Sequence, residues 1–434
     1  MRTLVLYEYP PPPAGLATQG DLLYRGLCRI GEDAMPVHLT TELQKEWMYR
    51  WYKPDVAVGV GWWGQLPSLV MHPHKFGIQA VPWLVADGWV ANYQDLLNSL
   101  PLILTTSQWV LDTYVRDGVS PKNMVSMPIG CDTDSFRPLP RHHEKVQAVR
   151  DALGVADDEK LILTIGGDGA SKGSRETMRA LAKVNQRFKK WKFVCKVWFQ
   201  ERTEKQNRLD MELAEELGIR DKVSYIDGVL SREFMPYLYN ACDLYAGPSR
   251  QEGFGMPHVE AQACGKPVLS IDAMGIKETV VHGQTGFLAD IADYVTLKEG
   301  IVDQTMGYAE RGTVEFAEPK VIAVRANVEQ LAEYAEQLLT DDDLSARMGV
   351  AASAHARKDF DYRLLARRLA DVVRERVPMS HIDNENGGIG KNGKRRVHAG
   401  VGRRGTDSEG VGAGKKGDGQ VRDAERPFRI PQSI

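Results

Sequence analysis

Short apolar runs alternate with longer amphipathic stretches along most of the chain. That pattern belongs to parallel sheets covered by helices. The runs at residues 4–9, 55–60, 80–85, 102–106 and 124–128 predict strands, with helices between them such as 20–30 and 108–117. A polar stretch at 141–160 interrupts the series, which then restarts with strands at 161–165, 193–199, 223–226, 244–247 and 267–271. The architecture repeats, although no sequence repeat of fixed period is present. Two doubly wound α/β domains are the simplest reading, one over 1–140 and one over 141–360. Helical periodicity returns at 328–339, 343–358 and 362–377. Residues 294–325 break the rhythm; 314–324 suit a hairpin or an ordered insertion, without an assigned function.

From residue 381 to 434 the composition changes. Twelve glycines, eleven Lys/Arg and seven Asp/Glu leave few apolar side chains. Such a segment cannot offset its ordering entropy and is expected to be a disordered tail. Its basic clusters, Lys394-Arg-Arg396 and Lys415-Lys416, could touch phosphates or anionic lipid, but a solvated tail with no partner is the expected reading.

The whole chain has 434 residues, enough for two cores, and a formal net charge of −3, so no global basic field argues for nucleic acid. Five scattered cysteines show neither zinc spacing nor a disulfide framework. The amino terminus runs straight into a strand-like segment without the apolar core of a signal peptide. No run is long enough to span a membrane. A cytoplasmic location is expected, with peripheral contact at the inner membrane surface left open.

The most informative stretch is Gly247-Pro-Ser-Arg-Gln-Glu-Gly-Phe-Gly-Met-Pro-His-Val-Glu260. A strand ends near Gly247, a glycine-rich turn follows, Pro257 suits a first helical position, and Gly265 falls just past the helix end. The turn presents backbone N–H groups and a positive helix terminus at the carboxyl edge of a parallel sheet, where anions bind. Glu252 and Glu260 flank it; carboxylates accept from paired hydroxyls. Phosphate on the helix terminus with hydroxyls on both sides describes a nucleotide diphosphate-sugar. The bland alternative makes Glu260 a partner of the helix dipole and Glu252 a surface residue.

This segment resembles the retaining GT-B glycosyltransferases of family 4, the glycosyl transferases group 1. The match is the Glu-x7-Glu pair inside Glu-Gly-Phe-Gly-Met-Pro-x-x-Glu-Ala-x-Ala-x-Gly-x-Pro-Val. It continues through Gly275, Glu278 and residues 283–286, Ser107-Gln-Trp, and Pro128-Ile-Gly-Cys-Asp-Thr-Asp-Ser-Phe-Arg-Pro138, and covers about residues 1–377 in outline. The resemblance implies two Rossmann-like domains facing a central cleft, with a helix over 361–380 crossing back onto the first. It implies a hexosyl transfer from a UDP- or GDP-sugar to a hydroxyl acceptor by front-face displacement, without metal or cofactor. The acceptor would be a small molecule, a glycan or a lipid-linked sugar. Glu252 would hold the donor sugar and Glu260 the ribose. Gly253, Phe254, Gly255 and Met256 would meet diphosphate and sugar with their N–H groups.

After the strand at 161–165 comes Gly166-Gly-Asp-Gly-Ala-Ser-Lys-Gly-Ser174. By the resemblance Lys172 is a diphosphate cation beside Gly166. Gly167 stands where the family has an arginine, a departure that either leaves one cation missing or is compensated by Arg250 or Lys277. Gly228 and Val229 fall in the base-recognition loop. In the first domain Gly15 and Gly20 lie in the loop after the first strand, where Gly15 either admits a phosphate or acceptor or simply makes a turn. Asp87 stands where relatives have a His-Asp pair; it is a candidate catalytic group with Glu252 and Lys172, or an ordinary strand-end residue. Asp132-Thr-Asp134 is read as part of the interdomain linker rather than a metal motif. Trp47, Trp51, Trp62, Trp63, Trp83 and Trp89 suit a sugar or lipid site and core packing equally. Two other readings remain: a non-catalytic nucleotide-sugar-binding protein, and a sugar-nucleotide epimerase of similar architecture.

Overall fold

The apolar runs of the first part form parallel strands β1 (Arg2–Tyr7), β2 (Asp33–His38), β3 (Val56–Trp62), β4 (Gln79–Val85), β5 (Ile103–Thr105) and β6 (Met124–Ser126). Their spatial order is β2-β1-β3-β4-β5-β6. The structure is a computed structural model and describes residues 1–86, 88–198 and 201–378. The central strands are buried on both faces, which is why they read as continuous apolar runs rather than alternating ones. β2 was not among the expected strands. It contains Pro36, tolerated because β2 is an edge strand with one side unpaired.

The second sheet contains β7 (Lys160–Ile165), β8 (Trp191–Val197), β9 (Val223–Asp227), β10 (Leu244–Ala246), β11 (Val268–Ile271) and β12 (Gly286–Ala289), in the order β12-β11-β10-β7-β8-β9. The four-residue edge strand β12 was too short for its pattern to announce it. The strand order reverses between β7 and β10. Ligands bind outside the carboxyl ends of such a pair.

Five helices place the site: α1 (Gly15–Arg29), α2 (Gln108–Arg116), α3 (Ser174–Val184), α4 (Met256–Ala263) and α5 (Tyr362–Arg376). α1 begins five residues before the expected helix, so Gly20 lies inside it and not in the preceding loop. A Cβ at Gly20 would lie 2.3 Å from the Tyr7 ring, which packs against the helix there. α5 returns to the first domain. The Cys131 N–H donates to Phe360 O at 2.7 Å and the Tyr362 N–H to Cys131 O at 3.0 Å. α5 then packs on α1, where a Cβ at Gly26 would lie 2.7 Å from that of Ala366.

The segment that broke the rhythm is a long antiparallel hairpin, β13 (Ile291–Val302) and β14 (Gly312–Ala326). Leu297 pairs with Lys320 and Glu299 with Glu315, so β14 bulges over 316–319. Pro319 sits in that bulge, where no ladder N–H is needed. The hairpin leaves the second sheet after β12 yet buries Val302, Met306 and Ile322 in the same cluster as Trp63, Trp89 and Val90 of the first domain. The expected tail, 381–434, lies outside the described residues. Among the described residues no helix is long and apolar enough to cross a membrane.

Candidate active site

The loops after β7 and β10 meet at the point where the strand order reverses. The first carries Lys172 and the second Glu252. Lys172 Nζ lies 2.6 Å from Glu252 Oε2, and both side chains keep partial access, 20% and 15% exposed. Gly166 makes room for the lysine: a Cβ there would lie 2.3 Å from Lys172 Cγ. Gly173 has φ +78, and its Cβ would meet Pro248 O at 2.2 Å, so the two loops touch backbone to backbone.

The second loop ends at Gly255, whose φ of +97 turns the chain into α4. No side chain caps that helix and Pro257 stands in its first turn, so its amino end keeps N–H groups for an anion. His258 fixes the turn from below. Its Nε2 lies 2.7 Å from Gly247 O and 3.0 Å from Ser270 Oγ. Burial holds the His258 imidazole below its usual range. Burial pushes the Glu252 carboxyl up, but Lys172, His258 and the Phe254 N–H outweigh it and hold Glu252 below the usual carboxylate range. An ionised carboxylate beside a cation and a helix terminus can accept from sugar hydroxyls while the cation meets a phosphate.

The loop faces the first domain. A Cβ at Gly253 would lie 3.4 Å from Val110 Cγ2 and 3.7 Å from Thr106 Oγ1. A Cβ at Gly275 would come within 2.2 Å of Gly253 O, and the Gly275 N–H donates to Glu252 O at 3.1 Å. Phe254 is buried and Met256 half-buried at the head of α4.

Glu260 lies farther along α4 and is buried. Its Oε2 accepts from the Tyr239 hydroxyl at 2.8 Å and its Oε1 pairs with Arg232 at 2.7 Å. The Arg232 guanidinium stacks on Phe136, 4.6 Å from the ring centre. Neither Arg232 nor Tyr239 was anticipated. Both lie beyond the motif, and only proximity to the loop after β9 could have suggested Arg232. Gly228 in that loop has φ +111 and open space around it, and Val229 is exposed.

Arg250 does not stand where a diphosphate cation is wanted. It is buried and grips Glu176 of α3 with both Nε and NH2, the closest contact being 2.8 Å. The cost of desolvating a guanidinium explains the pairing. Lys277 is exposed. Trp198 covers Gly167: a Cβ there would lie 3.4 Å from the indole ring. Gly15 opens α1 at the carboxyl end of β1 with nothing within 4 Å of its Cβ position. Asp87 lies outside the described residues.

The Asp132–Asp134 pair is divided between two arginines, Arg25 at 2.7 Å and Arg363 at 2.9 Å. Among the described residues no group of three His, Cys, Asp or Glu is placed to hold a metal ion. Trp63, Trp83 and Trp89 are core residues; the Trp63 and Trp83 N–H groups donate to Trp89 O and Met127 O. Trp47 and Trp51 stack on each other at the surface, 5.0 Å apart.

Two doubly wound domains, with the loop of the second that carries Glu252 turned toward the first, define a GT-B fold. Residues 145–304 match the family described as glycosyl transferases group 1, which supports a group 1, GT4-like glycosyltransferase. The D-inositol 3-phosphate glycosyltransferase of Mycolicibacterium smegmatis is 28% identical over 282 residues, 57% of this chain and 63% of that protein. That of Corynebacterium jeikeium is 27% identical over 294 residues, 67% of this chain and 61% of that protein. The match thus spans about three fifths of the length of these curated relatives. The solved structure of Anabaena HepE in complex with UDP and glucose shares the fold with a TM-score of 0.65 at 18% identity, over 86% of this chain and 100% of that one.

Proposed function

We propose that the protein is a retaining glycosyltransferase that moves a hexosyl unit from a UDP- or GDP-sugar to a hydroxyl acceptor. The Lys172–Glu252 pair at the head of α4 carries this reading. The diphosphate lies on Lys172 and the N–H groups at the start of α4, the sugar against Glu252, and the ribose on Glu260. The acceptor enters from the first domain, on the side of Gly15, and the base lies near Gly228 and Val229. As the bond from the anomeric carbon to the diphosphate breaks, Lys172 and the helix terminus stabilise the charge on the leaving oxygen. The acceptor oxygen bonds to the same face of the sugar, and its proton passes to the departing diphosphate. No protein nucleophile, metal or cofactor is required. The curated relatives support a sugar-transfer reading, and HepE, bound to UDP and glucose, supports a uridine donor. We place the activity in the cytoplasm, with peripheral contact at the inner membrane surface.

The test has two stages. A thermal-shift screen with UDP- and GDP-sugars identifies the donor, since a ligand of the native state raises its apparent stability. NMR of the product, with EDTA present, then reads the anomeric configuration. Retention supports the proposal. Inversion, or loss of transfer in EDTA restored by magnesium, overturns the mechanism. Donor binding without a new glycoside points to a binding protein, consistent with the glycine at 167.

A further inference from the structure

The hairpin ties together the parts that transfer would bring into register. At its root the Val324 N–H donates to Arg250 O at 2.7 Å, two residues before Glu252. Arg325 adds a 3.4 Å contact to Glu176, the partner of Arg250. Farther out, Lys320 reaches across to Asp117 at the end of α2, with 2.8 Å between Nζ and Oδ1. That carboxylate is only 3% exposed and also accepts the Val90 N–H at 2.7 Å. The bulge aims Phe316 at Trp89, with ring centres 5.4 Å apart. Gly300 lies beneath both rings: a Cβ there would come within 2.9 Å of each. Near the tip, Asn92 Nδ2 donates to Met306 O at 3.0 Å and the Tyr308 hydroxyl to Ala91 O at 2.8 Å.

A two-stranded ribbon anchored on the donor loop thus runs onto residues 88–93 of the opposite domain. The other chain connections between the domains are the linker after β6 and the return into α5. A misplacement of about 1 Å between reacting groups can cost on the order of a hundredfold in rate. We infer that the hairpin is a positioning strap, and that Lys320, through Asp117, holds the donor loop in register with the acceptor-side domain. This rests on the transfer reading above.

The test compares K320E with K320R by three measurements. Hydrogen exchange reads the amides of 88–93, calorimetry reads UDP binding, and steady-state kinetics reads turnover and both KM values. K320E is expected to raise exchange at Val90, to leave the UDP Kd within about twofold, and to lower kcat/KM for the acceptor by about tenfold. K320R is expected to restore all of these. A second variant replaces 298–319 by Asn-Gly, which suits a two-residue turn between the paired Leu297 and Lys320 and keeps the root intact. It should repeat the K320E pattern. Unchanged exchange at Val90 in both variants overturns the strap. Equal losses in K320E and K320R, or UDP affinity falling in step with turnover, overturn its positioning role. The exchange measurement is read whether or not the protein transfers sugar, so failure of the strap and failure of the transfer reading are separable.

Discussion

The Glu278 carboxylate of the second domain closes the amino end of α2 on the first. Its Oε2 accepts the Gln108 N–H at 2.9 Å and its Oε1 the Trp109 N–H at 3.1 Å. The Ser107 hydroxyl accepts the next one, from Val110, at 3.1 Å. The first N–H groups of a helix have no partner within it, and the helix dipole favours an anion there. Glu278 ends the short turn Met274–Glu278, whose Gly275 is bonded to Glu252 O. One carboxylate therefore joins the loop that carries Glu252 to the first domain.

Glu278→Ala is expected to lower stability by about 1 kcal/mol, the scale of an exposed charge at a helix terminus. It should also raise hydrogen exchange at the Gln108 and Trp109 amides. Glu278→Gln, with one acceptor oxygen left, should fall between. Unchanged exchange at both amides in the alanine variant would show that the contact is not formed in solution.

Much of this was legible before the structure. Ten of the parallel strands announced themselves as apolar runs, the eight interior ones because strands buried on both faces cannot hide their composition. Two edge strands were harder: β2 carries Pro36, and β12 is four residues long. The segment carrying Glu252 and Glu260 was singled out by its family resemblance, and the structure puts Glu252 in the loop before α4 and Glu260 on that helix. What the sequence could not show were partners distant along the chain. Arg232 with Glu260 and Arg250 with Glu176 are pairs fixed by packing, and charge alone does not say which cation is buried. The hairpin's pattern was visible, but its landing place on Trp89 was not, because nothing local encodes it.

Arg250 and Glu176 form a buried pair, and breaking one partner leaves the other charge uncompensated. Arg250→Met or Glu176→Gln should each lower stability by about 3–5 kcal/mol. The double variant Arg250→Met with Glu176→Leu should lose less than the two single changes summed. UDP affinity of the folded fraction should stay near that of the parent. Chemical denaturation and calorimetry check this. A large, specific loss of UDP affinity with unchanged stability would return Arg250 to the donor site.

Lys172 controls the charge on Glu252. Because the folded carboxyl is held below its unfolded value of about 4.3, the pair stabilises the fold above that pH. The contribution is lost as pH falls through the depressed folded value. Lys172→Met removes the cation and leaves burial, which raises the carboxyl. The stability difference between parent and variant should therefore be largest toward pH 7 and shrink as pH falls through the depressed folded value. Gly166→Ala should displace the lysine by steric contact and lower turnover in the same direction. Denaturation curves at several pH values decide; a difference independent of pH would mean the pair carries no linked proton.

Glu252 and Glu260 should fail differently. In the proposed reading Glu260 grips the ribose, which does not react. Glu260→Ala should weaken UDP itself as well as the donor, by roughly 1–3 kcal/mol if charged hydrogen bonds are lost. It also leaves the buried Tyr239 hydroxyl and Arg232 without their partner, so Glu260→Gln is the companion that keeps an acceptor for them. In the same reading Glu252 touches the transferred sugar, whose geometry changes on the way to the transition state. Glu252→Gln should spare UDP binding and lower kcat more than it raises the donor KM. Calorimetry with UDP beside steady-state transfer, on variants shown to be folded, separates the two roles. Equal loss of UDP affinity in both would refute the division of labour. Unchanged catalysis in both would remove the observation on which the transfer reading stands.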